Sequence, residues 1–345
     1  MIEIVDLNAC PLSYKNATYG GMAGSKDGIL IDNQEWMVKY PKSLSQMDGE
    51  NASYSTAPLS EYLGSHVYEI LGYDVHQTML GERNGKLVVA CKDFAINGKA
   101  LIEIRTIKNH TGKELEEMLN KLPKSSLKTH FVDLDELMLH LEKNPVLSKV
   151  KNIKQRFFEQ AIVDVFINNN DRNNGNWGIL RERGKEDILA PVFDNGGSFS
   201  NKLPENKLIR ILESGEFQNN ATNILTAYGK DGHQYSAKRF FDMVKDIPEF
   251  QEAVRKLYPL MREKMPQIVN MMQEIPATHC LADGEEIEVF SDKRKEFYIK
   301  QLNVRLEKLI QPQFEKVLRV KEQSVKGNSP GVHQNVIRTG RGPKL

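Results

Sequence analysis

Between an apolar, helix-like run and a short β-like run the chain reads FINNNDRNNGNWGIL (166–180). Asp171 and Asn176 have the D-x-x-x-x-N spacing that lets one loop present a carboxylate to an acceptor hydroxyl while an amide oxygen turns back to a metal ion. Asp194, in PVFDNGGS, ends a later strand-like run, a position from which a carboxylate can bridge magnesium to phosphate oxygens. Lys39, in WMVKYP, sits on a strand-like run and Glu61, in LSEYLG, on a helix-like one. A strand ammonium can lie on the α- and β-phosphates of ATP, and a helix carboxylate can hold its flexible stem in place. The chemistry these residue types would do is transfer of a γ-phosphoryl group, which asks for charge neutralisation, a held metal and an oriented hydroxyl rather than covalent help.

Singly, each part has an ordinary explanation: a strand lysine is commonly solvated and a helix glutamate commonly lies at the surface. Their order is more specific. YGGMAGSKDG (19–28), with Gly21, Ala23, Gly24, Ser25 and Lys26, comes just before the lysine run, and the backbone N–H groups of such a loop can cover triphosphate oxygens. It lacks the GxxxxGK[ST] form of a P-loop, and it opens a hairpin strand where the GxGxxG of a dinucleotide fold would open a helix. Glycine loop, lysine strand, glutamate helix, strand, helical region, asparagine loop, two short strands and aspartate follow one another as the parts of a protein kinase do. An EF-hand frame starting at Asp171 fails, because Asn176 stands where that loop needs glycine and Gly175 offers no side-chain oxygen. A plain turn is the other reading of the asparagine run, since Asn competes with regular backbone pairing.

Periodicity supplies the elements that must hold these residues. IEIVDL (2–7) alternates, ILIDNQEWMVKY (29–40) predicts a hairpin turning at Asp32–Asn33, and KLVVACKDFAI (86–96) predicts a strand. In 56–72, Leu59, Tyr62, Leu63, Val67 and Leu71 fall at helical spacing, with Gly72 at the stop. From about residue 112 the pattern turns helical, most clearly through Ile153, Phe157, Ala161, Ile162 and Val165, and WGILRER and ILAPVFD read as two short strands. The expected fold class is α+β and bilobal: a β-rich N-terminal lobe over 1–95, a mainly helical lobe over 96–325 carrying the catalytic and metal loops, and a flexible basic tail over 326–345.

With 345 residues the chain exceeds one convenient core, and a formal net charge of +1 with 27% charged residues gives no basic footprint, so no nucleic-acid partner is expected. Cys10, Cys91 and Cys280 lie far apart and signal neither a disulfide framework nor a zinc site, and the scattered histidines, His66 and His76 among them, read as surface or satisfied core groups. There is no long apolar run, and MIEIVDLNAC lacks a basic region followed by an apolar one. A soluble protein made in the cytoplasm without a cleaved leader, with no membrane partner, is the expectation.

GSKDGILIDNQEWMVKYP, DRNNGN and APVFDNGGS resemble the glycine loop and lysine strand, the D-R-x-x-x-N catalytic loop and the metal-binding aspartate segment of the HipA-like serine/threonine kinases, over roughly residues 12–310. The resemblance implies a bacterial ATP- and Mg2+-dependent protein kinase with Asp171 as catalytic base, Lys39 on the ATP phosphates, Glu61 as its partner, and Asn176 and Asp194 as magnesium ligands. It further implies that Cys91 to Phe94, Asp93 included, form the hinge that reads adenine through backbone groups, and that Ser25 is the loop serine open to autophosphorylation. Asn173 stands where many members have His. Family toxins carry an extra N-terminal subdomain that binds an antitoxin and, through it, DNA; here the kinase lobe begins almost at Met1, so neither partner is expected. Resemblance to the stand-alone form implies export by a leaderless route. The competing class is a nucleotide-binding pseudokinase or interaction module, against which stand the four retained residues Lys39, Asp171, Asn176 and Asp194.

Overall fold

Asp32 and Asn33 both take left-handed backbone, φ 51° and 59°, the turn whose twist suits two antiparallel strands. The computed structural model describes residues 1–19, 26–42, 55–123, 131–281 and 283–327, with side chains to 319. In it β1 (Val5–Asp6) is followed by β2 (Lys26–Ile31) and β3 (Gln34–Lys39) around that turn. Helix α1 (Ala57–Ile70) opens on a proline and ends before Gly72, whose φ of 83° no β-carbon-bearing residue takes readily. β4 (Thr78–Arg83) and β5 (Lys86–Lys92) complete a five-stranded sheet in the order β1-β4-β5-β3-β2. Leu7, Ile29, Trp36, Val38, Val88 and Ala90 form a small core of their own in this sheet. Leu59, Leu63 and Val67 of α1 join Leu80 and Val89 in the main core.

Two expected strands are shorter than their alternation. Only Val5–Asp6 of the first run pairs, because the Ile2 N–H is taken by the Glu274 carbonyl (3.0 Å) instead of a strand neighbour. The 86–96 run stops at Lys92, because the Asp93 carboxylate accepts from the Ala95 N–H (2.8 Å) and turns the chain.

β6 (Lys99–Glu103), α2 (Ile104–Ile107), α3 (Lys113–Lys121), β7 (Val132–Asp133), α4 (Leu134–Lys143) and α5 (Ile153–Ile167) come next, then β8 (Gly178–Glu182) and β9 (Ile188–Leu189). β6, which the sequence pattern did not reveal, pairs antiparallel with β8, and β8 with β9. α5 is buried almost all round, from Ile153 through Phe157, Ala161 and Ile167, which marks the centre of the lobe. Then follow α6 (Glu205–Glu213), α7 (Phe217–Thr222), β10 (Leu225–Lys230), β11 (His233–Ser236), α8 (Ala237–Val244) and α9 (Pro248–Glu274), which packs along α5. β12 (Thr278–Cys280), β13 (Glu286–Glu288), α10 (Asp292–Arg305), a π-turn over Leu306–Ile310 and α11 (Gln311–Gly327) end the described chain. No helix among the described residues is long and apolar enough to cross a membrane. Gly21, Ala23, Gly24 and Ser25, and the tail from 328 onward, lie outside the described residues.

Candidate active site

Four of the six asparagines in 168–176 have an identifiable use. Asn168 ends α5 in left-handed backbone at φ 56°, a cap that Asn tolerates better than most residues. Asn169 donates to Asp164 Oδ1 (3.2 Å) and accepts the Asp171 N–H (3.2 Å). Asn173 donates to Asp171 Oδ1 (3.1 Å) and accepts the Gly175 N–H (2.8 Å). Asn176 Nδ2 donates to the Asp171 carbonyl at 2.6 Å, closing the loop on itself and leaving the amide oxygen as the atom offered elsewhere. Asp171 is exposed, whereas Asn176 is buried.

Beneath the loop lies Arg172, 1% exposed. Its Nε and Nη2 hold both oxygens of Asp164 (2.9 and 3.0 Å), and Tyr68 Oη adds a hydrogen bond to the same carboxylate (2.9 Å). Nη1 donates to the carbonyls of Asn176 (2.9 Å) and Phe193 (2.5 Å), and Nη2 to Asn195 Oδ1 (2.6 Å). One guanidinium therefore fastens the 171–176 loop to the segment that carries Asp194. Burial opposes its charge, but Asp164 outweighs that and holds Arg172 protonated far above the usual range.

Lys39, at the end of β3, reaches Glu61 Oε2 at 2.7 Å and Asp194 Oδ1 at 3.0 Å. Burial alone would discharge this ammonium; the carboxylates of Asp194 and Glu61 reverse that and hold it well above the ordinary lysine range. Glu61 is fully buried, and its other oxygen accepts from the Asn195 N–H (3.0 Å) and meets His76 Nε2 (3.0 Å). Burial would raise its carboxyl, but Lys39 and His76 hold it far below the usual range. Donor atoms of Glu61, His76 and Cys91 lie within 4.8 Å of one another, yet Glu61 is already committed to Lys39 and Asn195, so this cluster is a lysine clamp rather than a metal cage.

Close packing fixes the rest. A β-carbon on Gly64 of α1 would come 2.7 Å from the Asn195 β-carbon, and one on Gly197 would come 2.7 Å from that of Asp171. The Asp74 carbonyl and His76 N–H pair with Val192 (2.8 and 3.0 Å), which anchors the strand two residues ahead of Asp194. Asp194 itself is left-handed at φ 59°, a strained conformation for this residue type and common where a side chain must be aimed. Lys26, Lys39, Glu61, Asp171 and Asp194 all line one cavity of about 880 Å3.

None of Cys91 to Phe94, the residues expected to read adenine, lines that cavity, although the Cys91 thiol lies within 4.8 Å of the Glu61 and His76 donor atoms. Cys91 is 2% exposed, and burial pushes its thiol well above the usual range. The Asp93 carboxylate is held by Lys15 (2.9 Å) and Tyr19 (2.5 Å), and its N–H by the Glu35 carbonyl (2.9 Å). Phe94 lies against Phe193, ring centroids 5.7 Å apart. Sequence reasoning gave no role to Asp164, Arg172, His76 or Asn195. A usable signal existed for Asp164, a lone carboxylate inside the apolar helix run AIVDVFI, where only a paired charge is stable.

No family model matches the chain. It is 28% identical over 310 residues to the serine/threonine-protein kinase CtkA of Helicobacter pylori, covering 89% of this chain and 86% of that protein. The crystal structure of a Helicobacter pylori proinflammatory kinase CtkA superimposes with a TM-score of 0.73 at 22% identity, over 92% of this chain and all of that one. The fold is that of the HipA-like kinases. A chain from the Shewanella oneidensis toxin–antitoxin system HipA, HipB and operator DNA complex matches more distantly, with a TM-score of 0.50 at 13% identity over 85% of this chain and 66% of that one. The fold thus brings Lys39, Glu61, the 171–176 loop and Asp194 together from four separate parts of the sequence.

Proposed function

We propose that this chain is a HipA-like serine/threonine protein kinase that transfers the γ-phosphoryl group of Mg-ATP to protein hydroxyls. The observation that supports this most is the Lys39 ammonium held between Glu61 and Asp194 at a cavity that Asp171 also lines. A divalent ion would supply charge compensation at the β- and γ-phosphates, and Asp194 and Asn176 offer the hard oxygen donors magnesium takes. Lys39 adds a point charge toward the phosphates, and its two carboxylate partners keep it extended and charged. Asp171 accepts the proton as the acceptor oxygen bonds to the γ-phosphorus and the bond to the β–γ bridging oxygen breaks, releasing ADP. Arg172 touches none of the reacting atoms; it positions Asp171 and Asp194 through one buried guanidinium. The lobes are assigned to residues 1–95 and 96–325.

Incubation with γ-labelled ATP, Mg2+ and a generic protein acceptor tests the reading. Label on protein that disappears in Asp171→Asn supports it, while nucleotide binding without any transfer would make the chain a pseudokinase. Ser25 is the expected self-modified residue, and mass spectrometry of the same incubation locates it or excludes it.

A further inference from the structure

The cavity that Lys39 lines also takes in residues at the start of α1. Among the described residues its lining includes Lys42, Ser55, Asn201 and Lys202, and none of Cys91 to Phe94. Two backbone hydrogen bonds bring its walls to one place: Ser55 N–H donates to the Lys42 carbonyl (2.8 Å), and the next residue, Thr56, donates to the Asn201 carbonyl (2.8 Å). Lys42 and Lys202 are thus carried on two strips of chain tied side by side at the start of α1, and both are exposed. Neither makes an ion pair among the described residues. The nearest acid on the second strip, Glu205, is neutralised by Arg294 at 2.8 Å. Two lysines without an ion-pair partner among the described residues accordingly line the cavity that Asp171 also lines.

We infer that the protein acceptor presents an anionic side chain, a carboxylate or a phosphate already in place, beside the hydroxyl to be modified, and that Lys42 and Lys202 receive it. This rests on the kinase reading and deepens it. The lysines act as specificity determinants: they select acceptors by charge and take no part in the transfer itself.

The test uses matched serine peptides whose flanks carry Asp or Glu, phosphoserine, only neutral residues, or Lys, with Mg-ATP and the full chain. The parent should phosphorylate the anionic peptides with kcat/KM about fivefold to tenfold above the neutral ones, the scale expected of two exposed charge pairs. Raising salt from about 50 to about 500 mM should erode that preference. The double substitution Lys42→Glu with Lys202→Glu should transfer the preference to the Lys-flanked peptides while leaving KM for ATP within about twofold. A larger effect of phosphoserine than of Asp identifies phosphate as the favoured anion, and the reverse identifies carboxylate. Transfer to all peptides within about twofold, or a preference untouched by both salt and substitution, overturns the inference and leaves the kinase standing. Absence of transfer to any acceptor, with no self-phosphorylation, overturns both. Should the double variant fail to fold, the salt series and the peptide set on the parent decide.

Discussion

Asp171→Asn keeps the shape of the side chain and removes its proton acceptor. Turnover should fall about 10²- to 10⁴-fold, the usual worth of a positioned base, with nucleotide affinity by calorimetry unchanged. Asp194→Ala should act differently: the Mg2+-dependent part of nucleotide affinity should vanish with the activity, and a titration showing equal affinity with and without the ion in parent and variant would move the metal site elsewhere. The grouping of Lys39, Glu61, Asp171 and Asp194 at one cavity was legible because phosphoryl transfer limits the choice of side chains and the kinase arrangement limits their order. The clamp around them was not. His76 meets Glu61 and Arg172 meets Asn195 only after the chain has folded, and hydrogen-bond partners so far apart in sequence leave no local periodicity to read.

Asp164→Asn tests how α5 supports the loop that follows it. The substitution removes the countercharge from a buried Arg172, and breaking such a pair costs about 3–5 kcal/mol, to be read from the midpoint of urea unfolding. A change below about 1 kcal/mol would mean that the carbonyls of Asn176 and Phe193 alone sustain the guanidinium. Arg305 does a related job without any acid: fully buried, it donates to the Phe166 and Ala221 carbonyls (3.2 and 3.1 Å) and to Gln301, so the negative ends of α5 and α7 stand in for a carboxylate. At this scale the sequence was informative where elements are long and carry apolar residues at helical spacing, as in α1 and α5. It was silent on β6, whose residues Lys99–Glu103 show no alternation and whose partner β8 lies across the whole α2–α5 region. The β10–β11 hairpin did announce itself through Asp231–Gly232, left-handed at φ 51° and 80°, a D-G turn signal passed over in a region read as helical. Pro259 and Pro266 argue locally against the 27-residue α9; packing along α5 overrides them.

Stability should decline on mild acidification because the fold refuses a proton. Burial, with Lys108 nearby, pushes the His140 imidazole down to about 4 from 6.5. The unfolded chain takes that proton near the upper value and the native one only near the lower, so stability present above the window is lost as pH falls through it. His140→Gln should therefore show a smaller drop in urea midpoint than the parent between about pH 7 and about pH 4.5. Equal drops would assign the acid sensitivity to other groups. Across the molecule, the Ile2–Glu274 hydrogen bond fastens the start of the chain to the end of α9, next to β1, which is one edge strand of the five-stranded sheet, while β2 is the other. A sheet moored along one margin swings like a door on its jamb: admitting nucleotide should sweep the β2 margin through the largest arc and leave β1 almost still. Spin labels pairing β2 with α9 should then report a distance that changes on adding Mg-ATP, and labels pairing β1 with α9 one that does not.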